Sequence, residues 1–466
     1  MKIALCVTPI FHSETAPLGL AYLKANLQKN GHEAKCFDFS KEFAIPTENP
    51  FGQATIIKSL QQNYQIVKAW VESIKTYCPD VVGITVWNTT KESSQMFAQE
   101  LKKQLPHILI LAGGPQCIGP ELKEILEYAD YVIENEGELA ICQLLNEYVR
   151  DHKISQTKGV WHKKNGIEFC TGVPNRIKNL DSLSFPDFSD FITNDYSQGL
   201  PIMFSRGCWA HCVFCPGKKY FDTQISRSGL NVYQEIVHQI KTTHCGKFVF
   251  ADDSLLSYVT IKELMDFCDR LIENSIHIEW RIYGQRIDYF INETVVEKMV
   301  KAGLKHITFG VESFSSDVRK DMGKAVSDEV TENNLFSFIK RGACVNLLMI
   351  YGYPSESDAD FEKTLAWIKK NGSFFHHICF NCFVLNSEYF NRRPGVVKFE
   401  NDSWHSYRWY SNAVNLKTRK ERFLKLIEVL NDLKIEYLIS EPYLTKCFRQ
   451  WDSDSFAALK KEWEML

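Results

Sequence analysis

Short apolar runs alternate with longer amphipathic segments over residues 1–150. Lys2–Val7 is a candidate first strand, and Pro17 opens an amphipathic helix that runs to Asn30-Gly31, a typical stop signal. Further apolar runs are short and β-branched, as buried parallel strands are, and lie at Val81–Val86, Ile108–Ala112 and Tyr131–Ile133. The pattern predicts a parallel α/β sheet covered by helices.

The alternation returns after a connector, residues 151–198, in which Gly159–Gly166 predicts a small hairpin. Six strand-like runs with intervening helical segments fit a partial (β/α)6 barrel over residues 199–390. They are Ile202–Ser205, Lys247–Ala251, His277–Ile282, His306–Val311, Val345–Tyr351 and His377–Leu385. Residues 391–466 carry helical periodicity, notably over Thr418–Leu433, which predicts a helical C-terminal region.

Length, charge and cysteine content limit the class of protein that this chain can be. A chain of 466 residues exceeds what one core serves, so two or three domains are expected. The 54 basic and 57 acidic residues are mixed along the chain, which predicts neither a nucleic-acid nor a membrane partner. The apolar start is too brief for a signal peptide, and 15 scattered cysteines do not resemble a disulfide framework. We therefore expect a cytoplasmic protein with reduced thiols.

Three of these cysteines stand close together in one loop. Cys208, Cys212 and Cys215 are spaced Cys-x3-Cys-x2-Cys between Gly207 and Pro216. Thiols at this spacing hold three irons of a 4Fe-4S cluster and leave the fourth open for chemistry. The alternatives are a zinc knuckle, for which no second ligand pair stands out, and unrelated buried thiols.

With Phe214 just before the last cysteine, the motif resembles that of the radical S-adenosylmethionine (SAM) superfamily. The resemblance implies a partial barrel whose strand ends contact SAM. Asp252 and Asp253 follow the second strand and offer acceptors to the SAM amino group, although paired aspartates also cap helices. Arg281, followed by Tyr283 and Arg286, lies after the third strand, where an arginine meets the SAM carboxylate.

Two further strand ends match the same family. Glu312 and Ser313 belong to a segment similar to the family's Gly-x-Glu-Ser, and Gly352 and Glu356 to its Gly-x-Pro-x-Glu turn. The resemblance implies that these four residues contact SAM, with the glycine letting the backbone approach the nucleoside.

The loops of the first domain resemble those of the Rossmann-like cobalamin-binding domain found in many radical SAM enzymes. Ligands of open α/β sheets sit beyond the carboxyl ends of the strands, where these glycine-rich loops fall. The implied cobalamin contacts are Pro17, Leu18, Gly19, Thr85, Trp87, Asn88, Gly113, Gly114, Pro115, Glu136, Gly137 and Glu138. The alternative is a Rossmann-like domain whose glycines only make turns, without a nicotinamide fingerprint.

The sequence does not decide which residue, if any, binds the cobalt of the implied cobalamin. The Asp-x-His-x-x-Gly motif of some cobalamin domains fails around His12, because Ile10 and Thr15 stand at its outer positions. Either His12 binds cobalt, or Trp87 packs against the lower corrin face and leaves cobalt without a protein ligand. A core role for Trp87 is the third alternative.

The resemblance implies a cobalamin-dependent radical SAM enzyme with three cofactors, a 4Fe-4S cluster, SAM and cobalamin. Its most favoured reaction is methylation of an unactivated carbon, and the alternatives are cyclisation, oxidation or rearrangement, a sensor without turnover, and a methylthiotransferase. The expected partners are a small-molecule or peptide substrate and a reductant such as flavodoxin or ferredoxin. Aromatic residues that could close the site are Trp404, Tyr407, Trp409 and Tyr410.

Overall fold

The structure is a computed structural model. It describes residues 1–9, 14–41, 53–119, 121–151, 156–192, 195–399, 408–434, 436–441 and 446–449. By internal contacts the chain forms two compact units, residues 1–202 with 234–248, and residues 203–233 with 249–466.

The first unit is built on a seven-stranded sheet with the order β2-β1-β3-β4-β5-β6-β7. Strands β1 to β5 are parallel, and the β6–β7 hairpin adds two antiparallel strands. The strands are β1 Lys2–Val7, β2 Glu33–Asp38, β3 Val81–Thr85, β4 Leu109–Gly113, β5 Tyr131–Ile133, β6 Val160–Lys164 and β7 Ile167–Cys170. The predicted α/β sheet and hairpin are confirmed, and the chain order reverses between β1 and β3.

Six helices accompany this sheet. They are α1 Leu18–Lys29, α2 Gln53–Gln62, α3 Gln65–Tyr77, α4 Lys91–Gln104, α5 Glu121–Ile125 and α6 Gly137–Asp151. Helix α3 shows why they pack here, because its buried residues Val67, Trp70, Val71 and Ile74 recur at helical spacing on one face. Trp70 stacks on Phe39 at a ring-centroid distance of 5.3 Å. Full burial of each such side chain stabilises the fold by roughly 1.5–3 kcal/mol.

The second large sheet has eight strands in the order β19-β18-β15-β14-β13-β12-β11-β8. From β8 to β15 each strand follows its neighbour in chain order, as in the predicted partial barrel, and the β12 to β15 pairs are parallel. Its strands are β8 Leu200–Ile202, β11 Lys247–Phe250, β12 Glu279–Arg286, β13 Leu304–Glu312, β14 Cys344–Tyr351, β15 His377–Cys382, β18 Glu436–Glu441 and β19 Lys446–Arg449. Two small antiparallel pairs lie outside it: β9 Ser205–Arg206 with β10 Ile225–Ser226, and β16 Lys398–Phe399 with β17 Trp409–Tyr410.

Helices between these strands bury one face of the sheet. They are α7 Gly229–Thr243, α8 Ile261–Glu273, α9 Glu293–Lys301, α10 Ser316–Asp321, α11 Asp328–Lys340, α12 Asp358–Asn371, α13 Ser387–Arg392 and α14 Leu416–Leu433. Phe309 of β13 packs on Phe338 of α11, with ring centroids 5.7 Å apart. In β14, buried and half-buried residues alternate strictly, so only alternate side chains lie under the helices.

The C-terminal region differs from the helical expectation. The predicted helix is present as α14, but it returns the chain so that β18 pairs in parallel with β15, and β19 then pairs antiparallel with β18. Tyr437 and Ile439 of β18 are buried, which gives this added strand its stabilisation. No helix among the described residues is long and apolar enough to span a membrane.

Candidate active site

The three-cysteine loop extends from the small β9–β10 pair, in which Arg206 is opposite Ile225. It begins at Gly207, whose φ of +83° favours glycine, and a Cβ there would lie 2.5 Å from the Thr223 carbonyl oxygen. The three cysteines that follow are half-buried free thiols. The local backbone therefore fixes where the loop leaves the sheet.

Each of the three sulfur atoms accepts a hydrogen bond. The donors are the Ala210 amide to Cys208 Sγ (3.4 Å), the Gly217 amide to Cys215 Sγ (3.4 Å) and the Arg286 guanidinium to Cys212 Sγ. Hydrogen bonds to sulfur are a usual means of tuning an iron–sulfur centre.

Two of the three thiols are harder to ionise than usual. Burial, and to a smaller extent the nearby Asp253 carboxylate, raises the pKa of the Cys208 and Cys215 thiols. Ligation to a metal centre offsets this cost of forming thiolates. Among the described residues no group of three or more His, Cys, Asp or Glu side chains is arranged to hold a metal ion.

Two other segments of the barrel hold the cysteine loop in place. The Val213 amide donates to the Met322 carbonyl (3.1 Å), after β13. Asn386, after β15, donates its side-chain amide to the Phe214 carbonyl at 2.8 Å. Phe214 is therefore fixed through its backbone at the edge of the site.

The paired aspartates after β11 have different roles. The buried Asp252 carboxylate accepts from the Phe204 amide (3.1 Å), the Ser205 hydroxyl (2.6 Å) and the Ser205 amide. Burial raises the pKa of Asp252 to about 7. Asp252 thus fixes the segment that leads into the cysteine loop, whereas the exposed Asp253 acts electrostatically on two of the thiols.

Glu312 ends β13 in the left-handed region, with φ of +68°. Its carboxylate pairs with Lys324 at 2.6 Å, and Lys324 also donates to the Gly310 carbonyl at 2.7 Å. The Lys324 ammonium lies 5.8 Å from the centroid of the Phe214 ring. Lys324 therefore joins the cysteine loop to the strand end. The sequence analysis missed it, since a single lysine after a short helix has no distinguishing pattern.

Three other predicted SAM contacts are tied to the protein itself. Ser313 is fully buried and lies 3.2 Å from the Thr364 hydroxyl. Glu356 pairs with Arg422 of α14 at 2.7 Å and accepts from the Gly352 amide at 2.8 Å, and burial raises its pKa to about 7. Their contact with SAM stays a prediction.

The backbone of Gly352 packs closely against helix α14. It has a φ of +70°, and a Cβ added there would lie 2.7 Å from Cγ of Arg419 in α14. The need for glycine at this turn is thus explained by α14, and its predicted approach to a nucleoside is not required to account for it.

The third strand is longer than predicted, which changes the position of its arginines. We expected Arg281 after the strand, but β12 continues to Arg286, and Arg281 is its third residue, opposite His306. Arg286 instead occupies the carboxyl end and contacts Cys212. The predicted end of the third strand was therefore too early. The position of Arg286 favours it over Arg281 as the arginine beside the cysteine loop.

In the first unit the glycine pair lies where two strand ends meet. The Val86 amide, just after β3, donates to the Gly113 carbonyl at 2.7 Å. Gly114 has a φ of +104°, and a Cβ there would lie 2.7 Å from the Thr85 hydroxyl and 3.0 Å from the Val86 backbone. A larger residue would push these two loops apart, so glycine keeps the strand ends in close contact.

Buried hydroxyl groups occupy the switch point of the same sheet. Thr8 follows β1, and its hydroxyl lies 2.9 Å from both the Ser93 and Ser94 hydroxyls at the start of α4. Ser40 donates to the Thr8 carbonyl at 2.9 Å. Ligands of open α/β sheets bind at this point. The sequence analysis missed the cluster, because scattered serine and threonine residues carry no spacing signature.

Trp87 lies just past β3 and is half-buried, outside the buried core. Its amide donates to the Thr90 hydroxyl at 2.9 Å, and the next residue, Asn88, is exposed. The core-tryptophan alternative is therefore not favoured, and a role against the corrin stays a prediction. His12 lies outside the described residues.

The remaining predicted cobalamin contacts surround the two flanking helices. Pro17 is buried at the start of α1, followed by half-buried Leu18 and exposed Gly19, and Pro115 is half-buried after the glycine pair. Gly137 begins α6 between the buried Glu136 and Glu138, and Glu136 accepts from the Ile177 amide at 2.7 Å. Small residues, half-buried loops and hydroxyl groups at the switch point fit a large corrin ligand.

Comparison with known proteins identifies two domains in the chain. The Radical SAM superfamily model matches residues 202–368, and the B12 binding domain model matches residues 7–145. An uncharacterized methyltransferase of Pyrococcus horikoshii is 24% identical over 387 residues, which are 79% of this chain and 78% of that protein. The anaerobic magnesium-protoporphyrin IX monomethyl ester cyclase of Rubrivivax gelatinosus is 24% identical over 311 residues, 63% of this chain and 54% of that protein.

Two solved structures share the fold. The radical SAM methyltransferase TsrM of Kitasatospora setae, with cobalamin and a [4Fe-4S] cluster bound, has a TM-score of 0.66 at 14% identity over 90% of this chain and 83% of its own. The cobalamin-dependent radical enzyme OxsB with aqua-cobalamin bound has a TM-score of 0.65 at 17% identity over 80% of this chain. This chain spans only 52% of OxsB.

The two matched domains account for the two sites. The three-thiol loop and the strand ends predicted to contact SAM lie within the radical SAM match, and the glycine pair and hydroxyl cluster lie within the B12 match. The cofactors are accordingly a 4Fe-4S cluster, SAM and cobalamin. The chain therefore joins a radical SAM domain to an N-terminal B12 binding domain, and it is a radical SAM enzyme.

Proposed function

We propose that this enzyme transfers a methyl group to an unactivated carbon of a small-molecule or peptide substrate. The observation that carries the proposal is the pairing, in one chain, of a hydrogen-bonded three-thiol loop with a B12 binding domain. Methyltransferases among the relatives support it, including the bacteriochlorophyllide d C-12(1)-methyltransferase of Chlorobaculum tepidum, 23% identical over 270 residues.

The cofactors supply the bond-breaking chemistry. A cluster held by Cys208, Cys212 and Cys215 would supply the electron for reductive cleavage of SAM, and cobalamin held by the first unit would supply the methyl group. The protein binds and orients the cofactors and the substrate, and it excludes water.

At the barrel mouth, we assign cluster binding to Cys208, Cys212 and Cys215. The Asp253 carboxylate is exposed beside the thiols and is placed to accept from the SAM ammonium group. Glu312 offers a second carboxylate, whose position is fixed by its ion pair with Lys324.

At the edge of the first sheet, we assign corrin binding to the loops around Thr85, Trp87 and Gly114. The half-buried Trp87 ring offers an apolar surface to the lower corrin face and excludes water there. With Trp87 there the cobalt would have no protein ligand, which would favour methyl transfer; His12 is the competing assignment.

A cyclase without methyl transfer is the second candidate, favoured by the Rubrivivax relative. Its Synechocystis counterpart is 21% identical over 359 residues. Both candidates require SAM cleavage, so detection of 5'-deoxyadenosine does not separate them. The fate of the SAM methyl group does.

The methylthiotransferase alternative needs three more cluster thiols in the first unit. Cys6 is a fully buried residue of β1, and burial raises the pKa of both Cys6 and Cys36 well above the usual value. Cys78, in contrast, is exposed. Thiols in such unlike surroundings do not favour a shared cluster.

The test is anaerobic reconstitution with iron, sulfide and hydroxocobalamin, followed by reaction with SAM carrying a trideuterated methyl group and a strong reductant. We expect trideuteromethylcobalamin and S-adenosylhomocysteine by mass spectrometry, together with 5'-deoxyadenosine. Formation of 5'-deoxyadenosine without labelled methylcobalamin would contradict methyl transfer and support the cyclase. Absence of both 5'-deoxyadenosine and labelled methylcobalamin would support a sensor without turnover.

We place the reaction in the cytoplasm, with flavodoxin or ferredoxin as the electron donor. The fourteen cysteines whose side chains the structure describes are all free, which suits a reducing compartment. The electron donor can be tested by adding purified flavodoxin and its reductase to the reconstituted enzyme and measuring reduction of the cluster by its visible absorbance.

A further inference from the structure

Arg286, the last residue of β12, is 4% exposed and is held on three sides. Its guanidinium donates to the Cys212 sulfur, to the Gly323 carbonyl at 3.2 Å, and to Asp288 through both Nε (2.8 Å) and Nη2. The guanidinium carbon also lies 5.1 Å from the centroid of the Trp209 ring. Such a cation has little freedom to move away from the sulfur.

The donor to Cys212 differs from those of the other two cysteines. Cys208 and Cys215 each accept from a neutral backbone amide at 3.4 Å. Cys212 accepts from a charged group, and charge-assisted hydrogen bonds are roughly twice as strong as neutral ones. One iron ligand is therefore distinguished electrostatically from its neighbours.

We infer that Arg286 is a positioning residue that raises the reduction potential of the cluster. Reduction adds one electron, and so one negative charge, without making or breaking a bond; the electron comes from a low-potential one-electron donor. A fixed cation at a ligand sulfur stabilises the charge-enriched state. Asp288 partly neutralises this cation, which limits the size of the effect.

The geometry requires arginine and not only a positive charge. A planar guanidinium places two N–H groups on Asp288 and another on the Cys212 sulfur at the same time. A lysine ammonium keeps the charge but has no fork that satisfies both partners. The expected effects of R286K and R286Q therefore differ in size.

A matched control exists at the same cysteine. Arg392 donates to the Cys212 carbonyl oxygen at 2.8 Å and is exposed. It touches the backbone of the cysteine and not its sulfur. R392Q thus removes an arginine beside Cys212 without removing a sulfur hydrogen bond.

The experiment is an EPR-monitored redox titration of the reconstituted holoenzyme with dithionite, without SAM, alongside iron and sulfide assays. We expect R286Q to lower the ratio of reduced to oxidised cluster at a fixed potential about tenfold, a shift of about 59 mV to more negative potential. R286K should lower the ratio about threefold, and R392Q should leave it within twofold of the wild type.

An unchanged midpoint potential in R286Q, or an equal shift in R392Q, would overturn the inference. If R286Q does not assemble a cluster, R286K decides, and an unchanged potential in that variant overturns it as well. The titration needs the cluster but not methyl transfer, so its outcome is separate from that of the labelling experiment.

Discussion

The barrel mouth and the carboxyl edge of the first sheet, which we assign to different cofactors, differ in the residues that shape them. At the barrel mouth, charged side chains surround three thiols, as Arg286 on Cys212 and Lys324 on Glu312 illustrate. At the first sheet, a positive-φ glycine and buried hydroxyl groups shape the edge instead. One site is specified by chemistry and the other by shape.

The difference has a physical basis. An iron–sulfur cluster and SAM carry formal charges, which a protein matches with ligands and ion pairs. A corrin is large and mostly apolar at its faces, so close backbone approach and small residues matter more. Substitutions should therefore remove binding abruptly at the barrel and weaken it gradually at the first sheet.

The largest expected effect is at the thiols. Replacing Cys208, Cys212 and Cys215 together by alanine should abolish iron and sulfide incorporation and the broad visible absorbance of the reconstituted protein, because no ligand then remains in the loop. A matched triple replacement, C170A/C245A/C344A, removes three other half-buried thiols and should leave incorporation unchanged. Equal iron and sulfide contents in the two variants would refute the assignment.

The next effect tests the ion pair at the end of β13. E312Q leaves the Lys324 ammonium buried without its carboxylate, and breaking one side of a buried pair costs about 3 kcal/mol. We expect apo-E312Q to unfold at a lower urea concentration than the apo wild type when unfolding is monitored by tryptophan fluorescence. The double variant E312Q/K324M removes the orphaned charge and should recover more than half of the loss. A single variant as stable as the wild type would show that the pair contributes little.

A smaller effect is expected at the glycine pair. G114A forces a Cβ to within 2.7 Å of the Thr85 hydroxyl, at a φ of +104°. We expect hydroxocobalamin to bind about tenfold more weakly, equivalent to about 1.4 kcal/mol, by absorbance titration. G166A is the control, since Gly166 has a φ of +77° but no atom within 4 Å of the added Cβ. If both variants bind alike, backbone strain and not the shape of the edge determines the loss.

The smallest effect is a pH dependence at Asp252. Burial raises its pKa to about 7, above the usual value of 3.8, so the folded segment keeps a proton that the opened segment releases. Rising pH therefore favours opening up to about pH 7, by as much as about 1.4 kcal/mol per pH unit, and has no further effect above it.

Hydrogen exchange of the Phe204 and Ser205 amides, which donate to Asp252, measures this opening directly. After correction for intrinsic rates, wild-type protection should fall between pH 5.5 and 7 and then level off. D252N lacks the ionisable group and should show no such slope. The same slope in both proteins would assign the titration to another residue.

Patterns repeated along the chain were sufficient for much of the fold. Strands β1, β3, β4 and β5 of the first sheet and the six barrel strands follow from short apolar runs, because burial on both faces requires them. The edge strand β2 was missed, since its exposed Glu33 and Lys35 alternate with buried residues and leave no apolar run. The strand β18 was missed, since its pairing with β15 depends on the turn that follows α14. The boundary of β12 was placed too early, because Tyr283 and Gln285 resemble loop residues in sequence although they continue the strand.

The sequence by itself determined the cofactor classes of this protein, because cluster spacing is a local property of eight consecutive residues and needs no tertiary contact to be recognised. Only the tertiary structure decided which of the predicted polar contacts are also paired within the protein. Asp252, Glu312 and Glu356 are paired with Ser205, Lys324 and Arg422, respectively. Such pairings join residues that are distant along the chain, so their roles depend on folding that brings them together.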